Sequence, residues 1–468
     1  MRRAISRNRS LRLILLLALA LRLVYALAQD HLIVYRGLGG DSGWYLANGV
    51  ALAAGADTGT FHGLPVDLSR VPTAPLYLLF LGFWQLILSP EAAVIAIRIG
   101  QAILGAATCY FAYRLTRLLS GRERTALLAA GVLAISPAFI IEAANIATES
   151  LYLFFVTAGL WVYVEWGAGI RTDQPPGRWS GGLALAGVLL GLATLTRAVL
   201  LLFPLGLTIH LLLISGWRTG LKRAGVLIVF YALLVSTWSV YNLTKWNRLV
   251  IGAEGMSSFL FIGAVGWNGP QAVDASLAAV IPDSADTTGD ERQTAFLDAA
   301  GQVIGRDLPG YLRRRVVELI NAHLQPHGTV AFPGESLKAL ALDWLRQDRS
   351  VSGLIELSSS ESFWPKLSLY LFHYAGLLAG TAGLWMLRRQ WRLALPLAGF
   401  ILYTALIHLA LLALPRYIFP TEVLWWVFAA IALAALVDHV RNWRARTTQH
   451  PRVGEGVITG SAEVQGVD

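Results

Sequence analysis

Long apolar runs separated by short polar turns dominate the chain. Such runs lie near residues 11–28, 95–118, 126–141, 148–166, 181–197, 199–215, 224–243, 366–387, 393–412 and 418–438. A membrane-spanning helix needs about 20 consecutive apolar residues. Open strands leave backbone groups unsatisfied in lipid, so these runs predict helices. The pattern therefore predicts an all-α polytopic membrane protein with about ten transmembrane helices.

The run 73–89 (TAPLYLLFLGFWQLILS) is ambiguous, and counting it as a span reverses the sidedness of everything after it. Charge decides, because loops rich in Lys and Arg stay on the cytoplasmic side. With 73–89 lying in or dipping into the outer leaflet, all the basic clusters share one side. They are the N-terminal tail, Arg117/Arg122/Arg124, Arg171/Arg178, Arg218/Lys222/Arg223, Arg388/Arg389/Arg392 and Arg441/Arg444/Arg446. As a span, 73–89 would set the two terminal clusters on opposite sides. The expectation is a multi-pass protein of the inner (plasma) membrane with both termini cytoplasmic. The first run follows a basic N-tail and ends at Ala26-Leu27-Ala28, which could serve as a signal-peptidase site. Arg22 interrupts the run, which favours a retained helix.

Four segments then face outward: 29–94, 142–148, 244–365 and 413–417. The organisation predicted is a membrane core over 1–243 with a first outer loop at 29–94, and a mostly helical extracytoplasmic region over 244–365. C-terminal transmembrane helices follow over 366–440, then a cytoplasmic, disordered tail over 441–468. Residues 291–325 read as amphipathic, as an interfacial helix would. The tail is polar and carries Gly and Thr.

Composition agrees. The chain is 55% hydrophobic and 14% charged, with 38 Lys+Arg against 29 Asp+Glu. Soluble domains carry about 25% charged residues. The basic excess sits at the ends of apolar runs, which is the membrane pattern rather than a nucleic-acid-binding face. Cys109 is the single cysteine, so no internal disulfide or thiolate cluster can form. No Walker A loop, zinc-type His pair or Gly-x-Ser-x-Gly elbow occurs. No cofactor or metal is indicated, and a divalent ion stays open.

Candidate chemistry gathers on the outer side. Asp41 follows Gly39-Gly40 and precedes a helix. It suits an N-cap, and equally a general base that accepts a proton from a hydroxyl. In the second outer segment Glu142, Asn145 and Glu149 share one helical face. They either mark the lipid boundary or serve a site, since intramembrane carboxylates are costly. Arg70, Arg98, Arg197 and Arg416 sit outside, against the charge bias. They either snorkel to headgroups or bind phosphate bidentately. Tyr45 and Tyr77 lie near the interface, where belt anchoring competes with sugar stacking. His62, His323, His327, His373 and His408 are scattered and read as loop or packing.

Taken in order, several motifs resemble the GT-C glycosyltransferases, in particular the family of protein O-mannosyltransferases and the lipid A aminoarabinose transferase. They are Asp41 with Tyr45 and Ala47, Pro72-x-x-Pro75-Leu76-Tyr77, Arg98, the Ser136-Pro137 to Thr148-Glu149 segment, Leu195-Thr196-Arg197 and Pro415-Arg416-Tyr417. The resemblance implies a GT-C fold with a juxtamembrane helix at 73–89, Asp41 as general base, and a second acidic site at Glu149 with Glu142 beside it. It implies an inverting transfer from a polyprenyl-phosphate sugar to a glycan, lipid or protein hydroxyl, without nucleic acid. Arg70, Arg98, Arg197 and Arg416 are then donor-phosphate ligands. Tyr45, Tyr77, Glu142 and Asn145 are substrate-binding. Two departures stand out: Ser42 follows Asp41 where a second acid is common, and Ala74-Pro75 replaces Pro-Pro. The rival expectation is a transporter or flippase of a lipid-linked sugar, which would need polar groups at mid-membrane and paired broken helices.

Overall fold

A computed structural model describes residues 2–32, 41–61, 64–70, 72–168, 178–282 and 287–448. Gly39-Gly40, His62, Arg171, the middle of the Pro282–Gly289 turn and the tail beyond 448 lie outside the described residues.

The membrane part is built from α1 (Arg2–Leu27), α4 (Pro90–Ser120), α5 (Glu123–Ile135), α6 (Pro137–Glu142), α7 (Glu149–Val162), α8 (Arg178–Thr196), α9 (Phe203–Ser215), α10 (Trp217–Trp246), α17 (Phe363–Met386), α18 (Trp391–Ala410) and α20 (Glu422–Thr448). Among the described residues, seven segments are long and apolar enough to cross a membrane, and the longest, Phe363–Ala410, contains the two helices α17 and α18. Helix α5 with α6, and α7 with the π-helical turn Tyr163–Gly167, occupy the other two apolar runs of the sequence as shorter or broken helices. Leu13, Leu16, Leu205, Ile209, Leu213, Leu402 and Leu406 point away from the bundle and are exposed. In water such a girdle would drive aggregation, whereas lipid covers it at no cost.

Between α1 and α4 lie α2 (Asp41–Ala53), a hairpin of β1 (Thr58–Phe61) and β2 (Leu64–Asp67), and α3 (Pro75–Ile87). Arg98, near the start of α4, bonds to the carbonyls of Gln29 and Asp30 just after α1. The chain thus leaves and re-enters the bundle at one end, and α3 adds no span. The opposite end collects the basic turns: Arg122 pairs with Asp438 at 2.7 Å, and Arg223 bonds to the Ala168 carbonyl.

The region after α10 is helical too. It comprises α11 (Met256–Val265), α12 (Pro270–Val280), α13 (Gly289–Arg306), α14 (Leu308–Leu324), α15 (Leu337–Asp343) and α16 (Val351–Ser358). Local sequence starts these helices. Thr288 and Glu291 form a capping box on α13, and Asp307 caps α14 by accepting from Gly310 N at 2.9 Å. Buried Arg315 on α14 donates to the carbonyls of His408 and Leu409, which the end of α18 leaves without helical partners. Lys366 at the start of α17 donates to the carbonyls of Pro333, Gly334 and Glu335. These cations staple the extramembrane helices to the bundle end.

Two close contacts explain small residues inside spans. Helix α17 meets α20 through Gly376, Gly380 and Gly383, and a Cβ on Gly383 would lie 1.9 Å from the Phe428 carbonyl oxygen. Small residues four apart let backbones approach closely. Gly105 on α4 makes room for Arg22, since a Cβ there would lie 2.8 Å from its Nε.

Arg22 itself has a structural answer. Helix α5 stops at Ile135 because Pro137 has no N–H to give to Leu133. The fully buried guanidinium of Arg22 supplies that donor, reaching the carbonyls of Leu133 at 3.0 Å and Ala134 at 3.2 Å.

Candidate active site

The break at Ser136-Pro137 turns α6 toward the end of the bundle where α2 begins. Glu142 closes α6, and Glu149 opens α7 after a short turn. Ser42 Oγ donates to the Ile146 carbonyl at 3.1 Å, fixing the start of α2 against that turn. Helix α19 (Pro415–Ile418) follows an extended Leu414 and presents Arg416 from the opposite side.

Arg416 connects the two acidic segments. Its Nη1 donates to Asp41 Oδ2 at 2.6 Å, and its Nε donates to Glu149 Oε1 at 2.5 Å. Arg197, just past α8, donates to the same Glu149 oxygen at 3.0 Å. Its guanidinium also lies over the rings of Tyr152, at 5.6 Å, and Tyr417, at 5.4 Å. The cluster is balanced, with two guanidiniums and two carboxylates. Exposure separates the carboxylates: the Glu149 side chain is 0% exposed and that of Asp41 is 69% exposed. Glu149 is the internal counter-charge, and Asp41 is the group open to an arriving molecule. Among the described residues, no group of three His, Cys, Asp or Glu side chains gathers as a metal site.

Behind this cluster lies a second pair. His327, in the turn after α14, places Nε2 2.7 Å from Glu142 Oε2, and its ring packs on Phe419 with centroids 4.4 Å apart. Asn145 Nδ2 donates to the same Glu142 oxygen at 3.1 Å. Burial works against a charged His327, but the hydrogen bond and charge of Glu142 outweigh it and raise its pKa. Burial, then the charge of Glu149, raises the pKa of Glu142 as well. The pair therefore holds a proton more firmly than either group would in water.

Of the residues singled out from sequence, Asp41, Glu149, Arg197 and Arg416 share one cluster, and Glu142 and Asn145 lie beside it. Tyr45 and Tyr77 pack edge to face at 5.4 Å in the wall next to it, and the Tyr77 hydroxyl donates to Gln101 Oε1 at 2.8 Å. Gln101 in turn donates to the carbonyls of Ala143 and Asn145. Arg98 faces backbone: its Nε donates to the Ala144 carbonyl at 3.0 Å, and its Nη1 meets Gln29, Asp30 and His31. It shapes the 142–148 turn. Arg70 pairs with Asp67 at 3.5 Å and lines a separate cleft. His327, which the sequence reads as loop or packing, is a carboxylate partner. Its separation of 185 residues from Glu142 left no local signal.

Comparison with known proteins adds the following. Residues 83–250 match the model of the dolichyl-phosphate-mannose-protein mannosyltransferase family. No curated protein sequence matches the chain. The structure superposes on the apo oligosaccharyltransferase of Archaeoglobus fulgidus with TM-score 0.52 and 16% identity, covering 94% of this chain and 52% of that one. The fold is that of the GT-C glycosyltransferases. The oligosaccharyltransferase AglB from Archaeoglobus fulgidus, in complex with an inhibitory peptide and a dolichol-phosphate, gives TM-score 0.51 at 15% identity, with 96% of this chain and 52% of that chain covered. ArnT from Cupriavidus metallidurans bound to undecaprenyl phosphate gives TM-score 0.39 at 16% identity, covering 93% of this chain and 80% of that one. The chain thus spans about half the length of the oligosaccharyltransferases whose fold it shares.

Proposed function

We propose that this GT-C chain transfers a sugar from a polyprenyl-phosphate carrier to an acceptor hydroxyl, with inversion, on the extracytoplasmic face of the plasma membrane. The observation that carries the reading is Arg416 bridging exposed Asp41 and buried Glu149, with Arg197 on the same carboxylate. The basic turns at the opposite end of the bundle support cytoplasmic termini. The family match over 83–250 supports a lipid-phosphate donor.

In this reaction the carrier's lipid tail stays in the membrane and its phosphate enters beside Arg197 and Arg416. Asp41 takes the acceptor O–H proton, and the acceptor oxygen forms a bond to C1 from the face opposite the phosphate. The C1–O bond breaks, and its electron pair leaves with the phosphate. That leaving group gains charge within reach of two guanidiniums already held by Glu149, so no reorganisation is needed as charge develops. Glu149 is a positioning residue here, because it is buried and faces the arginines. Tyr45, Tyr77, Glu142 and Asn145 line the surrounding wall and shape the acceptor side.

The test uses the protein in vesicles with a labelled polyprenyl-phosphate sugar. A transferase yields labelled acceptor, whereas a transporter only moves donor between leaflets. A general base contributes about 10²–10⁴-fold, so Asp41→Asn should lose at least a hundredfold of transfer while inserting normally. Near-normal transfer by Asp41→Asn would remove the base assignment.

A further inference from the structure

A cleft of about 380 Å³ opens between the first loop and the helices α11, α12 and α13, away from the charge cluster. That is within the range of ligand pockets, about 300–1,000 Å³. We propose that this cleft seats the acceptor, as a neutral, hydroxyl-rich saccharide. The proposal rests in part on the transfer reading above, and it names the acceptor class that reading leaves open.

Three observations carry it. The first is that the cleft is a built feature. Arg248 donates to the Ser69 carbonyl at 2.6 Å and to both Glu254 oxygens at 2.7 Å, and it reaches Asp290 at 2.9 Å. Glu254 N donates to the Pro72 carbonyl at 2.8 Å. One arginine and one backbone bond thus tie the first loop to the start of α13 and set the width.

The second is the lining. Leu277, Ile281 and Phe296 form an apolar floor, and Ser257, Asp274 and Arg292 stand on the walls. The side chains of Asp274 and Arg292 have no hydrogen-bond or ion-pair partner among the described residues. An accepting carboxylate and a donating guanidinium beside an apolar surface suit a sugar ring, with its C–H face below and hydroxyls at the rim. Arg248 already neutralises Glu254 and Arg70 pairs with Asp67, so Asp274 and Arg292 are the open charges among the described lining residues, one of each sign.

The third is position. Ser257 and Ser258 of α11 face the cleft, while the next residue, Phe259, lies edge-on to Tyr417 at 6.0 Å. Ile262, one turn on, packs with Leu412 and Tyr417. Tyr417 adjoins Arg416, so α11 is a shared wall between cleft and charge cluster. A saccharide of a few units seated in the cleft extends past that wall toward Asp41.

The experiment is saturation-transfer NMR on the full chain in lipid nanodiscs, with mannotriose, maltotriose and a Ser/Thr-rich octapeptide as probes. The expected result is transfer to ring protons of a trisaccharide and none to the peptide. Asp274→Ala and Arg292→Ala should each weaken saccharide binding roughly tenfold. Ala278→Trp, made at an exposed cleft position, should block it, with melting temperature and elution reporting an intact fold. Binding of neither saccharide, preference for the peptide, or saccharide binding untouched by Ala278→Trp overturns the proposal. Asp41→Asn separates the two readings. It should keep saccharide binding while losing transfer. A wild-type protein that binds saccharide yet never forms product sinks the transfer reading and leaves the cleft standing.

Discussion

Two sets of cations, one buried and one half-buried, share this molecule and differ in what they touch. Arg22, Arg98, Arg315 and Lys366 point mainly at backbone carbonyls: Leu133 and Ala134, Ala144, Leu409 and His408, and Pro333 to Glu335. Arg197 and Arg416 point at carboxylates. The first set repairs helix ends and turns that proline or chain reversal leaves without donors. The second holds charge against charge where one partner, Asp41, is open to solvent. A cation spent on carbonyls is architecture. A cation held in a balanced cluster with an exposed acid is the one that the proposed transfer uses to meet the donor phosphate.

The sharpest way to break this distinction is to delete one member of each set. Arg416→Ala removes the main partner of a fully buried carboxylate. Removing one side of a buried pair typically costs about 3–5 kcal/mol, because the other charge is left uncompensated. Arg416→Ala should therefore lower thermal stability strongly and abolish transfer. The double variant Arg416→Ala/Glu149→Ala should recover most of the stability and none of the activity. Recovery of activity in the double variant would mean the cluster is only a structural tie.

Arg22→Met is the counterpart in the other set, with a somewhat smaller effect. It strips two carbonyls of their donor inside the membrane, at about 1–3 kcal/mol each, partly relieved by local adjustment. Stability should fall while activity per folded molecule holds. Pro137 is the reason the donor was needed, so Pro137→Ala should partly rescue Arg22→Met by returning an N–H to Leu133. Melting curves of the two single variants and the double variant decide it.

The sequence carried the first set poorly and the second set well, for physical reasons. Hydropathy alone located the spans, since lipid admits little else, and loop charge located the non-crossing helix at 73–89, which the structure places at Pro75–Ile87. Asp41, Glu149, Arg197 and Arg416 stood out because charged residues at apolar boundaries are rare, and shared sidedness linked them. What a charge touches was not legible. Arg98 and Arg416 look alike in sequence, yet one meets carbonyls and the other carboxylates. The partner of Glu142 lay 185 residues away, in a turn with no pattern of its own. Pairing across such distances is a property of packing, and only the resemblance of ordered motifs hinted at it.

The smallest expected effect tests how the extramembrane turn is held to the site. Folding raises the pKa of both His327 and Glu142, so the folded pair binds protons more tightly than the unfolded chain. The stability this gives is fully present below the ordinary histidine value of about 6.5 and is lost as pH rises through the raised value of His327. Melting temperature should then decline on the alkaline side of neutrality. His327→Gln keeps a donor for Glu142 but does not titrate, so its melting curve should lose that slope while Arg22→Met retains it. A slope that persists in His327→Gln would assign the titration elsewhere. It would also separate the 325–335 turn from the acidic face it covers, leaving Glu142 as an architectural residue beside Arg98 rather than a neighbour of the reacting groups.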